Sequence, residues 1–187
     1  MDRDLALMEA LFCEQSPSIG TIHTLDEGPV DQFIPDLWSY ERILVFHSGG
    51  KDGMAALLYL LDLGVPRSKI EIHHHDIDGR EGSHLMDWPV TRSYVEVMGR
   101  ALGIEVFFSW KQGGFERELL RENCQTAPIT FTRGDGSLVT MGGERSKEST
   151  RLRFPQVTAN LMQRWCSGAL KIDVASRLLV NDPRFTE

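Results

Sequence analysis

Ile43-Leu44-Val45-Phe46-His47-Ser48-Gly49-Gly50-Lys51-Asp52-Gly53, continued by an apolar run to Leu63, decides how this chain folds. Four apolar residues ending on His-Ser-Gly-Gly read as a buried strand that runs into a tight turn. Asp52 to Leu63 then reads as a helix, closed by Gly64 and Pro66. Strand, glycine turn and helix make half of a βαβ unit.

The same grammar repeats outward. Lys69 to His74 has the alternation of a second strand, Trp88 to Leu102 reads as a second helix ending at Gly103, and Ile104 to Ser109 as a third strand. Strands separated by helices of this size predict a parallel, helix-covered sheet. Phe115 to Asn123 reads as a further helix. Beyond it, ITFT and SLVTM flank Arg133-Gly134-Asp135-Gly136, which predicts a β-hairpin rather than an adhesion motif. An Arg-rich loop, GGERSKESTRLRFP, leads to a helix with Leu161, Met162 and Trp165, and the segment 173–180 follows. At the other end, Leu5, Leu7, Met8, Leu11 and Phe12 are spaced as in a short amphipathic helix. The expected organisation is an N-terminal segment over 1–40 and one α/β domain over 41–187.

Composition bounds the function. With 187 residues, 41% of them hydrophobic, the chain suffices for one substantial core, and no run reaches membrane-spanning length. Its 27 acidic and 20 basic side chains leave a net charge of -7, so a nucleic acid could be met only through a local basic patch. Cys13, Cys124 and Cys166 form no CxxC pair, and the start MDRDLALMEALFCEQ is too acidic for a signal peptide. A cytoplasmic protein is the expectation. A homodimer stays open.

The turn at 48–53 carries the strongest chemical signal. Ser48, Gly49, Gly50, Lys51, Asp52 and Gly53 offer exposed amides, a helix N-terminus and an ammonium, a combination suited to phosphate. The spacing is neither that of a Walker A loop nor of a dinucleotide-binding GxGxxG. The plain alternative is a βα turn with Lys51 solvated and Ser48 capping the helix. Arg145, Arg151 and Arg153 offer forked donors for phosphate or sulfate, unless Glu144 and Glu148 occupy them on a solvated surface. Asp52 is a candidate for Mg2+, which favours one or two carboxylates plus phosphate oxygens, and Asp76 for metal or nucleotide. His73, His74 and His75 alternate across a strand and cannot close a zinc site together. Cys166 lies beside Arg164 and near Lys171, whose charges would favour a thiolate, although a free cysteine is more often a small buried residue. Trp88, Trp110 and Trp165 read as core packing before base stacking.

SGGKDG after a buried strand resembles the phosphate loop of the PP-loop ATP pyrophosphatase superfamily. HHHDIDGREGSHLMDWP at 73–89, FSWKQGGFERELLREN at 108–123 and RFPQVTANLMQRWCSGALKIDV at 153–174 resemble the corresponding stretches of its phosphoadenosine phosphosulfate (PAPS) reductase-like branch. The resemblance spans roughly residues 41–185. It implies a Rossmann-like (HUP-type) parallel sheet with helices on both faces, carrying a β-hairpin and a short helical C-terminal extension. It also implies an enzyme that binds ATP with Mg2+ and activates an acceptor by adenylation with release of pyrophosphate, with sulfur transfer to follow; the sequence does not name the acceptor. The alternatives are a PAPS or adenylyl-sulfate reductase using Cys166, and a non-catalytic nucleotide-binding module. Lys51, Arg145 and Cys166 would be catalytic, and Asp76, Arg151, Arg164 and Lys171 would join the loop around the nucleotide. Two departures stand out: the usual last serine of the loop is Gly53, and no Glu-Cys-Gly-Leu-His tail follows Cys166. Relatives continue past the NDPRF segment, which leaves open that a C-terminal portion is lacking.

Overall fold

A computed structural model describes residues 35–144, 146–160 and 163–186. The predicted amphipathic helix near the N-terminus, Cys13, Arg145, Leu161 and Met162 therefore lie outside the described residues.

Strand β1 (Ile43–Phe46) leads through the glycine turn into helix α1 (Lys51–Asp62). Strand β2 (Ile70–His75), helix α2 (Thr91–Leu102) and strand β3 (Glu105–Lys111) complete the α/β run. These three strands are parallel, with Ile43 beside Ile70 and Ile72 beside Val106. After the short helix α3 (Gly114–Leu119) come β4 (Ile129–Thr132) and β5 (Leu138–Met141), paired antiparallel around the Arg133–Ser137 turn. The hairpin joins the main sheet instead of standing apart from it, because β4 pairs antiparallel with β3 through Ser109 and Phe131. The sheet is thus mixed. Its order, β1-β2-β3-β4-β5, follows the sequence, which leaves the loop-bearing β1 at an edge with no reversal of strand order. An all-parallel sheet is corrected here: only the βαβ part keeps one direction, since the short turn after Thr132 makes β5 antiparallel to β4, and β4 itself enters the sheet antiparallel to β3 after the longer connection through α3.

Alternation along the strands sends side chains to two faces. Val45, Ile70 and Ile72 pack with Leu57 of α1 and Val95 and Met98 of α2, all nearly inaccessible to solvent. Each such apolar side chain contributes about 1.5–3 kcal/mol through burial. On the opposite face lies a helical segment that starts at Trp165–Ser167, widens into a π-helical turn over Gly168–Ile172 and continues as α4 (Asp173–Asn181). Its beginning rests on a second core of Phe115, Leu119, Trp165 and Leu170, with the Phe115 and Trp165 rings stacked at 5.0 Å.

Buried ions hold that segment against the sheet. Lys111, 3% exposed, donates to Asp173 at 3.0 Å and to Thr126 at 3.1 Å. Glu71 accepts from Arg42 at 2.7 Å and from Arg184 at 2.9 Å, and pairs with His73 at 3.0 Å. Arg184 also clasps Asp182 at 2.8 Å. A buried ion pair adds little net stability over apolar packing, but it fixes geometry strictly, because a displaced partner leaves its mate uncompensated. Here the Lys111–Asp173 pair fixes the start of α4 against the end of β3, and the helix packs on β3 and β4. Among the described residues no helix is long and apolar enough to cross a membrane.

Candidate functional site

The ladder continues one residue beyond β1, with the His47 amide donating to the His73 carbonyl at 2.9 Å, and then the chain turns. Gly49 takes φ +84°, and a Cβ there would stand 2.9 Å from the Thr91 methyl, so both conformation and space call for glycine. Gly50 is the N-cap of α1, and no side chain caps the helix. Ser48 therefore does not take the capping role; it is exposed and borders a cleft. The first-turn amides of α1 are left to other acceptors, and Asp52 and Lys51 stand exposed on that turn. Neither side chain makes a hydrogen bond or ion pair among the described residues.

The cleft has a volume of about 420 Å3 and lies between the glycine turn, the end of β2 and the start of the α4 segment. Phe46, Ser48, His75, Ile77, Lys171 and Ile172 are among its lining residues. Three of these are apolar, one is an ammonium with no ion-pair partner among the described residues, and the glycine turn adjoins them at one end. His75 is the sharpest polar feature: its Nδ1 meets the Ser109 hydroxyl at 2.7 Å, and its pKa is pushed down to about 3. Burial is the main cause, followed by His74, His73 and Lys171. The imidazole is neutral at ordinary pH.

Of the residues named from sequence, Ser48, Gly49, Gly50, Lys51, Asp52 and Lys171 gather at this end of the sheet. Asp76 itself does not line the cleft. Its carboxylate receives Arg80 at 2.6 Å and faces a depression of about 320 Å3 that contains Trp88 and Arg92 and adjoins the cleft, sharing Ile77 and Asp87 with it. Arg151 pairs with the buried Glu118 at 3.3 Å and stacks over Trp165 at 4.3 Å, so its partner is neither Glu144 nor Glu148. Arg153 is exposed, and its carbonyl accepts the Trp165 indole N–H at 3.0 Å. Arg164 is half-buried just before Trp165. Cys166 packs against the Phe115 and Trp165 cluster and does not line the cleft. Trp110 and Trp165 are core residues as read, whereas Trp88 is 79% exposed. His73 stacks on Phe107 on one sheet face, and His74 meets Phe108 edge-on on the other.

Sequence reading passed over His47. It is 2% exposed, and its Nδ1 accepts the Gly49 amide N–H at 2.8 Å, so the side chain stiffens its own loop. His74 Nδ1 donates to the His47 carbonyl at 2.8 Å. Burial first, and His74 second, lower the His47 pKa and keep the ring neutral. The only cue was Gly53. A Cβ on Gly53 would stand 2.6 Å from His47 Cδ2 and 3.0 Å from Cγ and Nε2, so a ring at 47 demands glycine at 53. Gly53→Ala would ordinarily stabilise a helix interior by about 1 kcal/mol. Here overpacking, roughly 1–3 kcal/mol, outweighs that gain. Chemical denaturation should give a net loss of about 1 kcal/mol, and in a His47→Ala background the same substitution should become stabilising. An equal effect in both backgrounds would dissolve the link.

Among the described residues no three His, Cys, Asp or Glu side chains converge as for a metal ion. Compared with family models, curated proteins and solved structures, the chain finds no significant match.

Proposed function

We propose that the chain binds an adenine nucleotide, its polyphosphate at residues 48–51 and its base in the adjoining cleft, and activates an acceptor by adenylation. The observation that carries this reading is the uncapped N-terminus of the twelve-residue α1, entered through Gly49 in a left-handed conformation and flanked by the unpaired Lys51. Backbone amides and the helix dipole favour an anion there. The cleft volume lies within the usual range for small-ligand sites, and Phe46, Ile77 and Ile172 suit a flat apolar group better than a second charge. The reading includes membership of the PP-loop superfamily and a Rossmann-like ancestry for the βαβ part. The strand order lacks the switch point at which open α/β sheets usually bind ligands, so the glycine turn, not the topology, supports the assignment.

In this reaction an acceptor oxygen attacks the α-phosphorus of ATP, the bond to the bridging oxygen breaks, and pyrophosphate departs with its electrons. Lys51 and the α1 amides meet the charge that builds on the leaving group. Asp52 provides one exposed carboxylate, which fits Mg2+ held chiefly by nucleotide phosphates, and the ion would neutralise the same charge. Use of Cys166 as a reductase thiol finds no support in its placement.

The test is calorimetry with ATP, ADP and PAPS, followed by release of pyrophosphate from ATP and Mg2+ with candidate acceptors. Lys51→Ala should weaken ATP binding about 10- to 100-fold, the value of one charge-assisted contact. Binding without turnover for any acceptor would favour a non-catalytic module. Absence of binding to the folded protein at millimolar nucleotide would overturn the reading.

A further inference from the structure

We propose that the depression beside the nucleotide cleft is the acceptor's site, and that it takes a small alcohol carrying an oxyanion, carboxylate or phosphate, with the anion on Arg92 and Arg80 and the hydroxyl on Asp87. This inference rests on the nucleotide reading of the neighbouring loop. The depression holds about 320 Å3, room for a small molecule, and Ile77 and Asp87 line both cavities. Two guanidinium groups of its wall share one ring, Arg80 at 5.0 Å and Arg92 at 5.2 Å from the Phe108 centre. Arg80 is held in place, with its Nε on Asp76 at 2.6 Å and its guanidinium carbon 3.9 Å from the Trp110 ring. Arg92 is half exposed, spends only its Nε on the similarly open Glu96 at 3.1 Å, and keeps its terminal N–H groups unengaged among the described residues. An exposed pair of this kind is weak, so a ligand's oxyanion recruits the arginine at little cost.

The acidic side chains decide which acceptor oxygen reacts. Asp76 meets Arg80 and His74, and both oxygens of Asp78 accept backbone amides from Met86 and Asp87. Asp87 accepts the Trp88 amide at 2.8 Å and the Thr91 hydroxyl at 2.7 Å on Oδ1 alone, which leaves Oδ2 without a partner among the described residues. Thr91 links this carboxylate to the glycine turn, because its methyl lies 2.9 Å from the point where Gly49 would carry a Cβ. A second carboxylate beside Oδ2 would be repelled, whereas a hydroxyl can donate to it. The acceptor's anion therefore lies at the arginines and its hydroxyl at the junction with the cleft. In the reaction the hydroxyl proton passes to Asp87 Oδ2 as the acceptor oxygen bonds to the α-phosphorus, and the bond to the bridging oxygen breaks with its electron pair leaving on pyrophosphate.

Lactate and salicylate probe the carboxylate form, glycerol phosphate the ester, and uncharged glycerol is the control. In the unmodified protein, an accepted anion should move the Trp88 indole and Arg92 side-chain N–H resonances and saturate at millimolar concentration without nucleotide, while glycerol moves neither. Arg92→Gln should weaken that binding about 10-fold, the loss of one charge-assisted hydrogen bond. With ATP and Mg2+, the same anion should promote release of pyrophosphate. Asp87→Asn keeps an oxygen for Trp88 and Thr91, so it should bind the anion within about 3-fold of the parent yet turn over about 100-fold more slowly. A merely structural aspartate would change both or neither, and that result would overturn its role as the base. Uptake of ATP by a protein in which no anion moves either signal would overturn the acceptor site and leave the nucleotide reading standing. Anion binding without uptake of ATP would overturn the nucleotide reading and, with it, the acceptor role.

Discussion

Gly114→Ala is expected to cost the fold about 3–5 kcal/mol. Gly114 opens α3 at φ +50°, where a Cβ is penalised by about 1–2 kcal/mol in any surroundings. Here the surroundings add more. The Cβ would stand 2.1 Å from the Asp78 carbonyl carbon, 2.4 Å from its oxygen and 2.5 Å from the Gly79 amide nitrogen. These are backbone atoms and cannot swing aside, so an overpacking cost at the upper end of the usual 1–3 kcal/mol range applies. The damage reaches the cleft, because the Asp78 carboxylate accepts the amides of Met86 and Asp87, each at 2.9 Å, and Asp87 borders that cleft. Gly136→Ala is the control. It has φ +81° but no atom within 4 Å of the added Cβ, so it should lose only the conformational part, about 1–2 kcal/mol. Urea denaturation of both variants measures the difference, and equal losses would mean that the contact between the two loops carries no weight.

Local signals in the chain carried far. Strand β1 occupies the four apolar residues read from sequence, and α1 starts one residue before its predicted beginning, because a glycine turn and an apolar helical period are properties of neighbours in sequence. The helix predicted from Phe115 to Asn123 stops at Leu119, four residues short of that end. What lay between distant residues was not legible. Nothing in ITFT says that it will pair with β3, and Arg151 finds Glu118 across 33 residues instead of a nearby acid. Asp76 lies just past the end of a strand as read, and its neighbours His75 and Ile77 line the cleft while Asp76 itself pairs with Arg80 in the adjoining depression. His47 is the instructive omission. Its bond to Gly49 spans only two residues, yet the choice of ring nitrogen depends on burial and on His74, which arrives from the neighbouring strand.

Between pH 6.5 and 4.5 the protein is expected to lose about 2 kcal/mol of stability through His75 alone. In the unfolded chain this imidazole takes up a proton near pH 6.5, but in the fold it stays neutral until about 3. Throughout that window the unfolded state binds more protons, so stability rises with pH and is lost as pH falls. A fully differential unit contributes about 1.4 kcal/mol, and because the unfolded imidazole is already half protonated at pH 6.5 the loss over the two units is roughly 2 kcal/mol. His47, also lowered, acts in the same direction. Glu71 and Asp182 do not compete in this range, because their pKa values are lowered from 4.5 and 3.8 and their contributions disappear only in more acid solution. His75→Asn keeps a polar partner for Ser109 and removes the titration, so its stability profile should be flatter by about 2 kcal/mol across the window. Urea midpoints taken at half-unit steps from pH 7 to 4.5 decide the matter. Parallel curves for parent and variant would mean that His75 accepts its proton inside the folded cleft, and that the neutral imidazole assigned to the wall of the nucleotide site is wrong.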